Sequence, residues 1–191
     1  MSRKLLKRRH LRAPLSSEVL YVDDEYTFKA STENISEGGI LLAQLPHVPE
    51  DLSIPMMVAL PQIPALDAMS SKELQDLRFL KLPKKIFRLK AKIVRKMEGM
   101  SSVEKVFLRS IGCEFIDLPE THLTFIHEYI QSFSKNCIYI LNLFQSGVAN
   151  EKEAGKIQKL ASLLGYDGTE KISDLRHKII HDYHSLDEYT M

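Results

Sequence analysis

The stretch EYTFKASTENISEGGILLA, residues 25–43, decides the predicted fold of this chain. Its first six residues alternate between aromatic or apolar side chains and polar ones, which is the pattern of a half-buried strand. A turn follows, because Asn34 and Ser36 have short side chains that hydrogen-bond to nearby backbone. Gly38 and Gly39 then supply residues that adopt positive φ at little cost. Since an apolar run comes next, the stretch predicts two antiparallel strands joined by a turn.

The same strand periodicity extends from about residue 18 to residue 116. IFRLKAKIVR, residues 86–95, alternates apolar and basic residues, and GGILLA, IPMMVAL and VFLRSIGCEFI are runs rich in β-forming residues. Five or six strands with no helix between most of them favour antiparallel pairing in a small barrel or sandwich. An insertion at about residues 61–85 interrupts them. In it, Ser70 and Glu73 form a capping-box pattern that predicts a short helix.

After residue 117 the apolar residues recur at helical spacing. The pattern predicts one bent helix or two over LPETHLTFIHEYIQSF (118–133) and NCIYILNLFQSG (136–147). It predicts two more helices over EKEAGKIQKLASLLG and SDLRHKIIHDY. The chain is therefore divided into a basic arm at 1–17, a β domain with a covering helix at 18–133, and an α-helical extension at 134–191. The extension's apolar residues could cover the barrel, pair with a second subunit or dock a partner; they are Ile138, Leu141, Phe144, Ile157, Leu160 and Leu164.

The amino terminus concentrates positive charge in KLLKRRHLRAP, residues 4–14. Six of the chain's 26 Lys and Arg lie in the first twelve residues, although the net charge is only +1. A nucleic-acid arm, an export signal and half of a binding site for a small anion are the three candidates. Only Leu5 and Leu6 could begin an apolar core, so an export signal is not expected. Apolar runs are also too short to span a membrane, and two cysteines without CxxC spacing indicate reduced thiols, so we expect a cytoplasmic protein.

The order of these features resembles the PilZ domain, the bacterial cyclic di-GMP receptor family. Arg8 and Arg12 match its RxxxR motif, and Asn34, Ser36 and Gly39 match its (D/N)xSxxG motif. The segment IGCEFIDLPETHLTFIHEYI is similar to the family's closing strand and helix. The resemblance implies a fold that is mainly β with α: a six-stranded antiparallel barrel with a flanking helix. The C-terminal helical extension then follows this barrel.

The resemblance also implies the ligand and the residues that hold it. The implied cyclic di-GMP-binding residues are Arg8, Arg12, Asn34, Ser36 and Gly39, with Lys7, Arg9 and Gly38 in secondary roles. A guanidinium group can pair with guanine O6 and N7 or with phosphate oxygens, which suits this ligand. The implied protein is a receptor that transmits ligand binding, through ordering of its N-terminal arm, to the helical extension or to a partner protein. A ligand-independent interaction adaptor and a nucleic-acid-binding barrel are the alternatives.

No enzyme is expected, because GxSxG, HExxH, Walker and GxGxxG motifs are all missing from the sequence. His177, His181 and His184 would align on a helix, but an exposed polar face explains them better than a metal site does. The sequence argues against nucleic-acid binding, because the net charge is low and the chain has neither Trp nor an aromatic-rich strand on which bases could stack. We therefore expect no metal and no cofactor besides the ligand. The partners expected are cyclic di-GMP and a protein partner or second copy held by the C-terminal helices.

Overall fold

The computed structural model describes residues 10–70, 73, 82–100, 107–146 and 151–187. In chain order the strands are β1 (Arg12–Pro14), β2 (Glu18–Asp23), β3 (Tyr26–Ser36), β4 (Gly39–Ala43), β5 (Ser53–Pro61), β6 (Lys84–Met100) and β7 (Phe107–Ile116). The α-helices are α1 (Glu120–Gln145), α2 (Glu151–Leu163) and α3 (Ile172–Asp187). Among the described residues, a 3-10 turn spans Leu66–Ala68. Strands thus precede helices, as the change of periodicity after residue 117 predicts.

Six strands close into an antiparallel barrel in the order β2, β5, β6, β7, β4 and β3. Closure occurs because β3 is long enough to pair with β2 along one edge and with β4 along the other. The short strand β1 pairs with the end of β3 beyond β2, with Arg12 opposite Ser36. The predicted six-stranded antiparallel barrel with a flanking helix is confirmed. β1 lies within the predicted arm, and the three-part division of the chain stays a prediction.

Alternation along the strands fills the barrel. On β6, Phe87, Leu89, Ala91 and Ile93 are buried, while the basic residues between them face solvent. Fully buried residues from other strands, Ile54 of β5 among them, meet these side chains. Burial of each large apolar side chain contributes about 1.5–3 kcal/mol, so this shared interior is the main stabilising element of the barrel.

Helix α1 is one continuous helix of 26 residues, which answers the question of one helix or two. It contains no proline or glycine after its N-cap Pro119, so nothing in its sequence breaks it. Its buried stripe runs through Ile126, Phe133 and Ile140. Ile138 was expected to pack but is 42% exposed, because its neighbour Cys137 occupies the buried position of the stripe.

The two C-terminal helices, α2 and α3, pack against the rest of the fold and share its core. Helix α3 contacts both α1 and β1, and the buried residues of α2 and α3 join the same core as the strands. Helix α2 ends in a Schellman motif: Gly165 has φ +93°, and the Tyr166 N–H donates to the Ala161 carbonyl at 3.2 Å. That turn brings Gly165 next to Ser16, just after β1. Of the roles left open for the extension, the structure shows packing within the chain itself, on α1 and β1.

The insertion between β5 and β6 is anchored to helix α1. The Leu66 N–H donates to Oδ1 of Asn136 at 3.0 Å, and Nδ2 of Asn136 donates to the Pro64 carbonyl at 2.9 Å. Ser70 and Glu73 form the predicted capping box, each side chain accepting from the other's backbone N–H. The rest of the predicted helix lies outside the described residues. No helix in the described ranges has the length and hydropathy required to cross a bilayer.

Candidate functional site

A cavity of about 520 Å³ opens on the outer face of the barrel, where β1, β3, β4, β7 and β6 run side by side. Five residues predicted from the sequence line it: Arg12, Asn34, Ser36, Gly38 and Gly39. The wall is completed by residues that the motifs do not include, among them His10, Arg95, Met97, Gly112 and Glu114. Strand β4, with Gly39, and strand β7, with Gly112, form the floor of this groove, which is basic and partly apolar.

Strand register explains why residues far apart in sequence meet here. Arg12 on β1 is opposite Ser36 on β3, Ser36 is opposite Gly39 on β4, and Gly39 is opposite Glu114 on β7. Paired residues point to the same face of a sheet, and neighbouring strands lie about 4.8 Å apart. These four residues therefore form one row across the outer face.

A second row runs beside the first, two residues along each strand. Asn34 is opposite Leu41, Leu41 is opposite Gly112, and Gly112 is opposite Arg95 on β6. Gly112 has no side chain to fill the space, and the Cβ of Arg95 lies 3.5 Å from where its own Cβ would stand. Together the two rows put Asn34 and Arg12 on one side of the cavity and Arg95 on the other.

Gly39 is required by a close backbone approach. A Cβ at this position would stand 2.1 Å from the Cys113 carbonyl oxygen on β7, far inside any permitted contact. The expectation that Gly38 and Gly39 adopt positive φ was wrong, since Gly165 is the one glycine with positive φ among the described residues. The turn thus needs glycine because β7 lies against it.

Ser36 has a structural role in the same turn. Its hydroxyl donates to the Gly39 carbonyl at 3.2 Å, and the residue is 6% exposed. The hydroxyl oxygen keeps lone pairs that can accept a further hydrogen bond at the cavity edge. Asn34, by contrast, is partly exposed, so its amide can reach a molecule in the cavity.

The remaining predicted residues cannot be placed. Lys7, Arg8 and Arg9 lie outside the described residues, so the first arginine of the RxxxR motif has no position here. Arg12 is the arginine of that pair that lines the cavity.

Arg95 is a cavity residue that sequence reasoning missed. Simple alternation along β6 would place it inward, in phase with Ile93. A bulge at Val94 breaks the register, because Ile93 pairs with Cys113 while Arg95 pairs with the next residue, Gly112. The bulge turns Arg95 outward into the cavity. One feature of the sequence indicates the bulge. Val94, a β-branched apolar residue, occupies a position at which the alternation of β6 otherwise places basic, outward-facing residues.

A carboxylate beside the cavity links two histidines. Oε1 of Glu37 lies 2.6 Å from Nδ1 of His127, and Oε2 of Glu37 lies 3.5 Å from Nδ1 of His10. The hydrogen bond from His127, together with the weaker one from His10, lowers the pKa of Glu37 although partial burial opposes this. No local sequence pattern indicates this cluster, since Glu37 and His127 lie 90 residues apart along the chain.

The cavity holds no activated thiol. Cys113 lines it but is 4% exposed, and burial raises the pKa of its thiol to about 12. Among the described residues, no group of three or more His, Cys, Asp and Glu is placed to hold a metal. His177, His181 and His184 lie on the exposed face of α3, as the helical pattern predicts.

Comparisons with known proteins support one family. A model of the PilZ domain matches residues 6–132. Among solved structures, the chain is similar to the Bacillus subtilis inhibitor of motility MotI/DgrA, with 14% identity, a TM-score of 0.46, and coverage of 68% of this chain and 50% of that one. It is also similar to the PilZ domain of Escherichia coli YcgR with c-di-GMP, with 15% identity, a TM-score of 0.42, and coverage of 66% and 90%.

A third similar structure is the K. pneumonia MrkH–c-di-GMP complex, with 13% identity, a TM-score of 0.44, and coverage of 65% of this chain and 50% of that one. The chain therefore spans about half the length of the MotI/DgrA and MrkH chains. The comparison with curated proteins gave no match.

Proposed function

Because the chain belongs to the PilZ domain family, we propose that it is a non-enzymatic receptor for cyclic di-GMP. One observation carries the proposal: Arg12, Asn34, Ser36 and Gly39, which match two separate family motifs, line a single cavity. Motif residues that served only to build the barrel would have no reason to share an open groove. Their convergence supports a common ligand.

The chemistry of the cavity suits a cyclic dinucleotide. The Arg12 guanidinium is always charged and presents a planar donor fork that matches phosphate oxygens or the O6 and N7 edge of guanine. The Arg12 side chain makes no hydrogen bond or ion pair within the described part of the chain, so the fork is available to a ligand. The Asn34 amide can both donate to and accept from a base edge. Gly39 and Gly112 leave the floor open to a flat ring.

Arg8, Lys7 and Arg9 belong to the same proposal by their place in the sequence. Arg8 precedes Arg12 by four residues, so a chain continuing from His10 would bring a second guanidinium to the cavity mouth. We assign Lys7, Arg9 and Gly38 supporting contacts. The ordering of this arm over the bound ligand is the conformational step of the proposed receptor.

Helix packing supplies the route by which arm ordering would be transmitted. β1 lies near the end of the arm and contacts both α1 and α3. Tyr129 of α1 donates its hydroxyl to the Pro14 carbonyl at 2.6 Å. A change in the arm therefore acts on residues that already touch the helical extension. The extension, or a protein partner or second copy bound to it, is the proposed output.

Titration calorimetry with cyclic di-GMP tests the receptor directly, since it reports affinity and the number of molecules bound. Cyclic di-AMP is the matched control, because it keeps the ring and both phosphates and changes only the bases. We expect saturable binding of cyclic di-GMP and much weaker binding of cyclic di-AMP. No binding of cyclic di-GMP by the folded protein would overturn the proposal and favour the ligand-independent adaptor.

A salt series separates the receptor from a nucleic-acid-binding barrel. Binding to random DNA through a basic arm weakens steeply with salt, since each neutralised phosphate releases a counterion. A dinucleotide with two phosphates gives a shallow dependence. Tight, steeply salt-dependent binding to DNA with no response to cyclic di-GMP would support the nucleic-acid function. A bacterial cytoplasmic location is part of the receptor proposal, because a second messenger acts inside the cell that makes it.

A further inference from the structure

Glu37 lies in the turn that joins β3 to β4, between the motif residues Ser36 and Gly39. Its two carboxylate oxygens face different parts of the molecule: Oε2 faces His10 and Oε1 faces His127. A carboxylate can only accept hydrogen bonds, so each ring presents an N–H to it. Glu37 therefore connects the N-terminal segment to helix α1 through a single side chain.

His10 belongs to the wall of the proposed ligand site. It lines the cavity, and its Cδ2 atom would stand 2.7 Å from a Cβ on Gly38, so the ring lies directly over the turn. The side chain is 45% exposed, which leaves part of the ring open to a bound molecule. His10 therefore belongs both to the cavity wall and to the contact with Glu37.

His127 does not line the cavity. It lies on the face of α1 that meets the turn, two residues before Tyr129, which donates to Pro14. The carbonyl of Gly38 accepts from the Phe115 N–H at 3.1 Å, so the turn is also held to β7. The turn is therefore held in place, and the Glu37 side chain contacts both His10 in the cavity wall and His127 on helix α1.

We propose that Glu37 is a positioning residue that couples ligand occupancy of the cavity to helix α1 through His10 and His127. The inference rests on the proposed function, since it concerns regulation of that same site. A ligand that contacts His10 therefore acts on the same carboxylate that accepts from His127 on α1. Ligand binding then shifts the equilibrium position of helix α1. The position of α1 changes the affinity for ligand by the same free energy, because coupling between two sites is reciprocal.

The test uses calorimetry of the full chain with cyclic di-GMP at about pH 6 and about pH 8, across the histidine range. The variants are Glu37→Gln, which keeps the shape and removes the charge, and His127→Ala, which changes a residue outside the cavity. Glu128→Gln and Gln131→Ala are the controls, because both are exposed on α1 and contact no described side chain by hydrogen bond or ion pair.

We expect both test variants to bind about fivefold more weakly than the wild type and to differ from it in pH profile. The double variant should bind no more weakly than Glu37→Gln alone, because the two residues act through one link. Both controls should bind as the wild type does. Circular dichroism and thermal unfolding check that every variant is folded.

The outcomes separate the two proposals. A wild type that does not bind cyclic di-GMP rejects the receptor itself. A wild type that binds normally, with Glu37→Gln and His127→Ala showing the same affinity and the same pH profile, rejects the coupling role and leaves the receptor intact. Additive losses in the double variant also reject it, since they would mean that the residues act separately.

Discussion

Arg12 lies directly opposite Ser36 in the antiparallel pairing of β1 with β3. The two residues belong to two different family motifs, and the strand pairing, rather than the ligand, brings them together. Ala13 and Ile35, the next pair along, are both fully buried, so this register is fixed by the core. The β-sheet therefore preorganises one edge of the proposed site before any ligand arrives, which reduces the free energy spent on ordering.

Arg12→Ala should weaken cyclic di-GMP binding by about tenfold or more, since a bidentate guanidinium contact contributes about 1–3 kcal/mol. Arg88→Ala is the matched control: Arg88 is exposed on the outer face of β6 but lies outside this cavity. Calorimetry of both variants at one salt concentration provides the comparison. Equal losses in the two variants would show that Arg12 acts only through general charge.

Gly39→Ala should destabilise the barrel by about 2–4 kcal/mol, because the new Cβ meets the Cys113 carbonyl oxygen and one strand must move. Gly155→Ala is the control, since a Cβ there meets nothing within 4 Å. It lies inside helix α2, where alanine should stabilise by about 0.5–1 kcal/mol. Urea unfolding measures both. A Gly39→Ala protein as stable as the wild type would contradict the close approach of β4 and β7.

Much of the barrel was predictable because each strand has one buried face. The alternation of Phe87, Leu89, Ala91 and Ile93 is a direct consequence of the pleat, and it holds in the structure. Sequence order and glycine content were enough to predict a turn within residues 34–39 and the end of helix α2 at Gly165. The turn itself is only residues 37–38, because Asn34 and Ser36 belong to β3 and Gly39 begins β4. These are local features, so local sequence encodes them.

The parts that could not be predicted depend on register or on distant contacts. An extra residue at Val94 leaves the alternation on either side intact, so the sequence indicates the bulge only through Val94 itself and does not show that Arg95 faces the cavity. The pairing of Glu37 with His127 depends on where helix α1 crosses the turn. The site residues themselves remain predictions until a ligand is measured, although the structure brings five of them to one cavity.

Asn136→Ala should destabilise the protein by about 2–4 kcal/mol, because it leaves the Leu66 N–H and the Pro64 carbonyl without their partner in a buried place. Asn136 is 1% exposed, so water cannot replace the amide without rearrangement. Asn142→Ala on the same helix is exposed and should change stability little. Chemical unfolding of the two variants gives the difference. Loss of the contact should also increase protease cleavage in the insertion between β5 and β6, whereas equal cleavage of both variants would argue against an anchoring role.

Both cysteine thiols should be unreactive in the folded protein. Burial raises the pKa of Cys113 and of Cys137 to about 12, so each thiol stays protonated at neutral pH. At pH 8 the thiolate is then about one part in ten thousand, against about a quarter for an unfolded cysteine with a pKa near 8.5. Because the folded state holds these protons more tightly, their contribution to stability is complete below about pH 8.5 and falls as pH rises toward the folded pKa. Ellman's reagent at pH 8, with and without denaturant, checks the first part: two thiols should react only on unfolding. Rapid modification of Cys113 in the native protein would mean that the barrel opens far enough to expose its interior.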